Sequence, residues 1–66
     1  MIKTNVLKAE IVKNGYTQQE MAKLIGISPK TFYEKMKKGV FGSDEIQIMI
    51  RYLNIQDPIA IFFANE

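Results

Sequence analysis

The sequence predicts an all-α fold, a compact bundle of five short helices in a single domain over residues 1–66. Apolar residues recur three and four positions apart, which is the period of a helix with one buried face. Glycines and good N-cap residues divide the chain into five segments. No stretch shows the sustained alternation of apolar and polar residues that marks a β-strand.

The composition argues against catalysis and metal binding, because the chain contains no cysteine and no histidine. Disulfides are excluded, and a structural zinc site is not expected since zinc favours those two ligands. The commonest nucleophile and the commonest general base of enzymes are also missing. The carboxylates fall mainly at predicted helix starts or on surfaces, without an indicated pair. We therefore expect neither an enzyme nor a bound cofactor or metal.

The N-terminal residues lack the long apolar run of a signal peptide. No segment approaches the roughly 20 apolar residues that cross a bilayer. We therefore expect a soluble, cytoplasmic protein that does not bind membranes.

The first two helices are predicted from the residues at their ends. Helix one should run from about residue 5 to residue 14, followed by Gly15 as a left-handed C-terminal cap. Thr17 and Glu20 have the spacing of a capping box, in which each side chain meets a free backbone N–H of the other residue. Helix two should therefore begin at Thr17 and stop at Gly26.

The other three helices are also predicted from cap signals. Ser28 is a good N-cap, and Pro29 suits the first helical position, so helix three should run on to Lys38. Ser43 is expected to cap a fourth helix. Asp57 is expected to cap a short fifth helix that ends near the C-terminus.

Helices two and three form a helix-turn-helix over residues 17–38, because only three residues separate them. Two helices joined by so tight a turn must cross steeply. Ala22 is small where they cross, and Gly26 can take the left-handed conformation that the turn requires. Phe32 and Met36 are four apart and share the face predicted to turn inward.

Positive charge is concentrated in residues 30–38, which contain four lysines and one glutamate. By contrast, residues 39–66 contain one arginine and four acidic residues. A local basic patch suits a polyanionic partner such as nucleic acid. The alternative is a solvated, lysine-rich helix face.

Several residues of the helix-turn-helix form a known pattern: Gln18, Ala22, Gly26, Ile27 and Phe32. With these residues the chain resembles the phage Cro and lambda-repressor-like (XRE-type) family. The run Gly-Ile-Ser-Pro-Lys-Thr-Phe-Tyr, then Lys-Lys-Gly and a capped amphipathic helix, is similar to small phage-encoded regulators. The resemblance implies a lambda-repressor-like DNA-binding domain and a sequence-specific transcriptional regulator of phage or prophage Cro or repressor type. Such a protein would act at the nucleoid of a bacterial host, on double-stranded operator DNA, without a small-molecule effector.

One position departs from the family pattern. Members often carry an apolar residue three positions after the one at Phe32, and this chain has Lys35 there. Met36 is expected to take the core role instead, which would rotate the C-terminal part of the third helix slightly. Phe41, in the loop that follows, is expected to plug the core.

The resemblance also implies which residues meet DNA, because in that family the N-terminal half of the motif's second helix meets base edges in the major groove. The expected base-contacting residues are Ser28, Pro29, Lys30, Tyr33, Glu34 and Lys37. The expected phosphate-contacting residues are Thr17, Gln18, Lys35 and Lys38. Lys37, at the end of its face, can also reach a phosphate. Two alternatives stay open: Glu34 pairs with a lysine four residues away, and the lysines serve solubility.

The sequence of the C-terminal third of the chain contains more apolar residues than a small monomer should expose on its surface. A two-fold homodimer interface is one explanation, formed by Ile48, Tyr52, Ile61, Phe62 and Phe63. The other is that the fifth helix folds over Ile48 and Tyr52 within one chain. We favour the dimer, which would read two half-sites of a palindromic operator one DNA turn apart.

A second functional class also fits the apolar C-terminal surface. The chain could be a protein-interaction module on a helix-turn-helix scaffold, such as an antirepressor or a modulator that binds a repressor. Specific binding to operator DNA would favour the regulator over this alternative.

Overall fold

The computed structural model describes residues 2–63, which fold into five α-helices and contain no strand. The helices are α1 (Thr4–Lys13), α2 (Gln18–Ile25), α3 (Pro29–Lys38), α4 (Ser43–Leu53) and α5 (Pro58–Phe62). The predicted all-α bundle of five helices is confirmed. None of these helices is long and apolar enough to cross a membrane.

The cap residues predicted for α2, α3 and α5 occupy those positions. At α2, Thr17 Oγ1 accepts a hydrogen bond from Glu20 N–H at 3.1 Å, and Glu20 Oε1 accepts one from Thr17 N–H at 2.8 Å. At α3, Ser28 Oγ accepts from the N–H of Thr31 at 3.1 Å. Asp57 does the same for α5, accepting from the N–H of Ala60 at 3.3 Å. These side chains satisfy backbone donors that a helix start leaves free.

The cap predicted for α4 is wrong by one residue. Gly42, with φ −70° and ψ 158°, is the N-cap, and Ser43 is the first helical residue. The Glu45 side chain explains the shift, because its Oε1 accepts a hydrogen bond from the N–H of Gly42 at 2.6 Å. A glutamate three residues after the N-cap is placed to make this bond.

The core lies where α1, α2, α3 and α4 meet. Its fully buried large side chains are Leu7, Ile11, Met21, Phe32, Met49 and Leu53. α2 packs on α1, α3 and α4, so it occupies the centre of the bundle. Burying these side chains removes apolar surface from water, which is the main force that holds so small a domain together.

Helix α5 closes the bundle by packing against α1. The N–H of Lys3 donates a hydrogen bond of 2.8 Å to the carbonyl of Ile61. Ile61 and Phe62 are only 7% and 4% exposed and belong to the core of their own chain. Their predicted place in a dimer interface is therefore wrong, because these side chains are already buried within one molecule.

Candidate nucleic-acid interface

The orientation of α3 is set by the short turn that joins it to α2. Gly26 has φ +94° and ends α2 in the left-handed conformation. The N–H groups of Gly26 and Ile27 both donate to the carbonyl of Ala22, at 2.9 and 3.0 Å. The chain then passes through extended Ser28 directly into α3. Because the turn is this short, α3 packs against α2, and the opposite face of α3 is exposed to solvent.

The inward face of α3 carries its apolar side chains. Phe32 is fully buried, and Met36, one turn later, is 4% exposed. Phe41 lies in the loop after α3, and its ring centroid is 5.4 Å from that of Phe32. The predicted core roles of these three residues are confirmed.

The outward face of α3 carries every residue that the sequence predicts to contact bases. All six of them are exposed: Ser28, Pro29, Lys30, Tyr33, Glu34 and Lys37. Residues 30, 33, 34 and 37 have the spacing of one helix face. A convex helical face that bears both hydrogen-bond donors and acceptors has the shape and chemistry needed to enter a major groove.

Tyr33 is the aromatic member of this face. Its side chain is 45% exposed, and its ring meets the edge of the Phe32 ring at a centroid distance of 6.4 Å and an angle of 78°. An edge-to-face contact of this kind is favourable for aromatic pairs. One side of the tyrosine is therefore held by the core, while the remainder stays open to a ligand.

Glu34 is exposed and forms no ion pair with Lys30 or Lys38 in the part of the chain that the structure describes. The alternative interpretation, in which Glu34 pairs with a lysine four residues away, is not seen within α3. Its carboxylate oxygens are left as hydrogen-bond acceptors on the outward face.

The start of α2 carries the residues predicted to hold a phosphate. Thr17 is exposed and Gln18 is partly buried. Thr17 Oγ1 accepts a hydrogen bond from the N–H of Glu20, and its O–H can still donate a hydrogen bond to an anion. The positive end of the α2 dipole lies at the same place and favours negative charge.

The lysines of α3 are not equivalent. Lys30, Lys37 and Lys38 are exposed. Lys35 instead directs its ammonium to Glu45, with Nζ 2.7 Å from Oε1 and 2.6 Å from Oε2. Its side chain is only 33% exposed. The positive field of α3 therefore comes from the other three lysines, because the charge of Lys35 is neutralised by the Glu45 carboxylate.

Glu45 is the residue near this surface that the sequence did not reveal. Its side chain is 14% exposed. Burial raises the pKa of the Glu45 carboxyl, but the hydrogen bonds from Lys35 and from the Gly42 N–H, together with the charge of Lys35, outweigh burial and hold the pKa below its ordinary value. The available signal was a lysine at a position where an apolar residue is usual, since such a lysine needs a partner. The spacing of ten residues did not identify that partner.

Comparison with known proteins identifies the part of the chain that contains the helix-turn-helix. The family model described as "Bacterial regulatory protein, Fis family" matches residues 4–39, which span α1, α2 and α3. The comparisons with curated proteins and with solved structures each found no match. The family match thus covers the helix-turn-helix together with the helix that precedes it, and α4 and α5 lie outside it.

Proposed function

This chain belongs to the Fis family of bacterial regulatory proteins, and we propose that it controls transcription as a phage or prophage regulator of the Cro or repressor type. Its helix-turn-helix is a DNA-binding domain. In this proposal α3 lies in the major groove of an operator. The bound protein excludes polymerase or a competing repressor from overlapping DNA.

One observation supports this proposal above the others, namely the orientation of α3. Phe32 is fully buried, whereas Lys30, Tyr33 and Lys37 on the other side of the helix are exposed. A helix whose polar face were covered by the rest of the chain could not reach base edges. Here the whole face is available to a duplex.

The residues of this face have chemistry that can distinguish bases. Lys30 can donate to O6 or N7 of guanine, and Glu34 can accept from N4 of cytosine. Tyr33 can contact a thymine methyl group, a base edge or a phosphate. Ser28 and Pro29 stand at the N-terminal end of α3, which is the part that meets bases in helix-turn-helix complexes.

Phosphate contacts would orient the protein on the duplex without reading sequence. We infer that these contacts come from Thr17 and Gln18 at the start of α2 and from Lys38 at the end of α3. Lys37 lies at the C-terminal limit of the base-reading face, from which a long side chain can also reach the backbone.

We further propose that two copies bind a palindromic operator. Tyr52 is 44% exposed and Phe63 is 58% exposed, while Ile48 is half-buried. Apolar side chains left in solvent on a small domain suit an interface with a second copy. A two-fold dimer would set its two α3 helices one DNA turn apart.

Selection of bound duplexes from a random pool tests the function directly. The wild-type chain is expected to enrich one short motif, and the double variant Lys30→Ala/Tyr33→Ala is expected to bind all sequences alike. A matched control is Lys8→Ala/Val12→Ala, which removes an exposed lysine and an exposed apolar side chain from α1 and should leave the motif unchanged. No enrichment by the wild-type chain at moderate salt would contradict the proposal.

A protein-interaction module is the second candidate. It is favoured by Ile59, which is 68% exposed on α5 close to exposed Phe63. In that case the chain would act as an antirepressor or a modulator of another repressor. The same random-pool selection separates the two candidates, since this one predicts no preference among duplexes.

A further inference from the structure

Lys35 and Glu45 join two helices that are separated along the chain by a four-residue loop. Both carboxylate oxygens lie within 2.7 Å of Lys35 Nζ, so the ammonium is held bidentately. Charge-assisted hydrogen bonds of this length are the strong ones in proteins. The pair connects the C-terminal half of α3 to the first turn of α4.

The carboxylate of Glu45 is itself held in place. Its Oε1 also accepts from the N–H of Gly42, and its side chain is mostly buried. Glu45 therefore presents a fixed acceptor to Lys35, unlike an exposed carboxylate that must be ordered before it can pair. Asp44, the neighbouring acid in the same turn, is exposed and makes no ion pair within the described residues.

We propose that Glu45 is a positioning residue for DNA recognition, which withholds Lys35 from the phosphate backbone and holds the C-terminal half of α3 against α4. This inference rests on the proposed function. A free lysine beside the groove would add a phosphate contact to every sequence alike. Such a contact strengthens binding to all DNA and does not help to discriminate the operator. Glu45 thus raises the ratio of specific to non-specific affinity.

The salt dependence of binding to a random-sequence duplex measures the number of phosphate contacts. The wild-type chain is compared with Lys35→Gln, with Glu45→Gln and with the double variant. Lys35→Gln should leave the slope of log K against log salt unchanged. Glu45→Gln should steepen it by about 0.9, the value of one additional phosphate contact. The double variant should return to the wild-type slope, because the released lysine is then absent.

Asp44→Asn is the matched control. It changes the net charge as Glu45→Gln does, at the adjacent residue, without touching Lys35. It should leave the slope unchanged. Glutamine at position 45 keeps an amide oxygen that can accept from Gly42, so the cap of α4 is retained. A nuclear magnetic resonance titration of the Glu45 carboxyl, without DNA, should show its pKa rising when Lys35 is replaced by Gln.

Each outcome decides the inference. A shallower slope in Lys35→Gln would show that Lys35 already contacts a phosphate, and this would overturn the proposal. Equal steepening in Glu45→Gln and Asp44→Asn would reduce the effect to net charge and would overturn it too. If the wild-type chain bound no duplex at all, the proposed function would fail, and the positioning role with it. The titration would then still report the ion pair, so the two failures can be told apart.

Discussion

Lys35 on α3 and Glu45 on α4 form a bidentate ion pair, with both Nζ–Oε distances between 2.6 and 2.7 Å. Lys35 stands where an apolar residue would be expected, three positions after the buried Phe32. Because Lys35 is paired with Glu45, its side chain can be partly buried without the cost of an unpaired charge. Met36, next along the helix, supplies the apolar contact instead.

The ion pair predicts a stability that depends on pH. The folded pKa of Glu45 lies below its ordinary value, so the unfolded chain takes up a proton more readily. The stabilisation is then fully present above the ordinary glutamate pKa, and it is lost as the pH falls through the lowered folded pKa. Since Lys35 is one third exposed, we expect a loss of about 1 kcal/mol or less. Urea unfolding across the acid range measures it.

The control for this prediction is Glu45→Gln, which cannot titrate at that position. Its free energy of unfolding should be lower than that of the wild-type chain at neutral pH and should approach it in acid. Parallel pH profiles for the two proteins would contradict the assignment.

Much of the fold could be predicted because its signals are local. Thr17 with Glu20, Ser28 with Pro29, and Gly26 are short-range patterns whose physics needs no tertiary information. They located α2 and α3 to the residue and thereby set which face of α3 carries Phe32. The outward face then followed from helical periodicity alone.

What could not be predicted depends on contacts between distant residues. Lys35 pairs with Glu45 across a four-residue loop. Glu45 also accepts a hydrogen bond from the N–H of Gly42, which makes Gly42 the N-cap of α4 and not Ser43 as predicted. Ile61 is apolar in a short helix whose neighbours are apolar too, so periodicity could not separate a core position from a surface one. Only the packing of α5 on α1 decided that its side chain is buried.

The turn of the helix-turn-helix should not tolerate Gly26→Val. Gly26 has φ +94°, and a Cβ placed there would meet no atom within 4 Å. The cost is therefore conformational rather than steric crowding by neighbours. We expect a loss of about 1–2 kcal/mol or more in the free energy of unfolding, because a β-branched residue strongly disfavours positive φ. Thermal or urea unfolding measures the loss.

Gly26→Asn is the matched variant, since asparagine enters the left-handed region more readily than other non-glycine residues. It should be clearly more stable than Gly26→Val. Equal stability of the two variants would show that the positive φ of this turn is not what matters.

The capping box predicts that Thr17→Ala destabilises the domain. Removing the hydroxyl leaves the N–H of Glu20 without its acceptor. The expected loss is about 1 kcal/mol, within a range of roughly 0.5–2 kcal/mol. Thr17→Ser keeps the oxygen and should restore most of the stability, as measured by urea unfolding. If serine were no better than alanine, the cap would not be the source of the loss.

A homodimer predicts that a charge at position 52 weakens association. Tyr52 is 44% exposed, so Tyr52→Asp should leave the fold intact while placing a charge in an apolar interface. We expect the dissociation constant to rise at least about tenfold, or about 1.4 kcal/mol. Sedimentation over a range of concentrations measures it. Val12→Asp, at a 73% exposed position on α1, is the control and should not change association. A wild-type chain that stays monomeric, both free and on DNA, would contradict the dimer.

The last prediction concerns Lys37, an exposed cation at the end of the outward face of α3. Lys37→Ala should weaken binding to every duplex and reduce the slope of log K against log salt by about one, because one counterion-releasing contact is lost. Lys13→Ala is the control of equal charge. Lys13 borders a groove that is also lined by Leu53 and Asp57, at the end of the bundle where α5 begins. Its replacement should change the slope little. An unchanged slope in Lys37→Ala would remove Lys37 from the phosphate contacts. An equal reduction of the slope in both variants would show that the basic patch acts only through net charge.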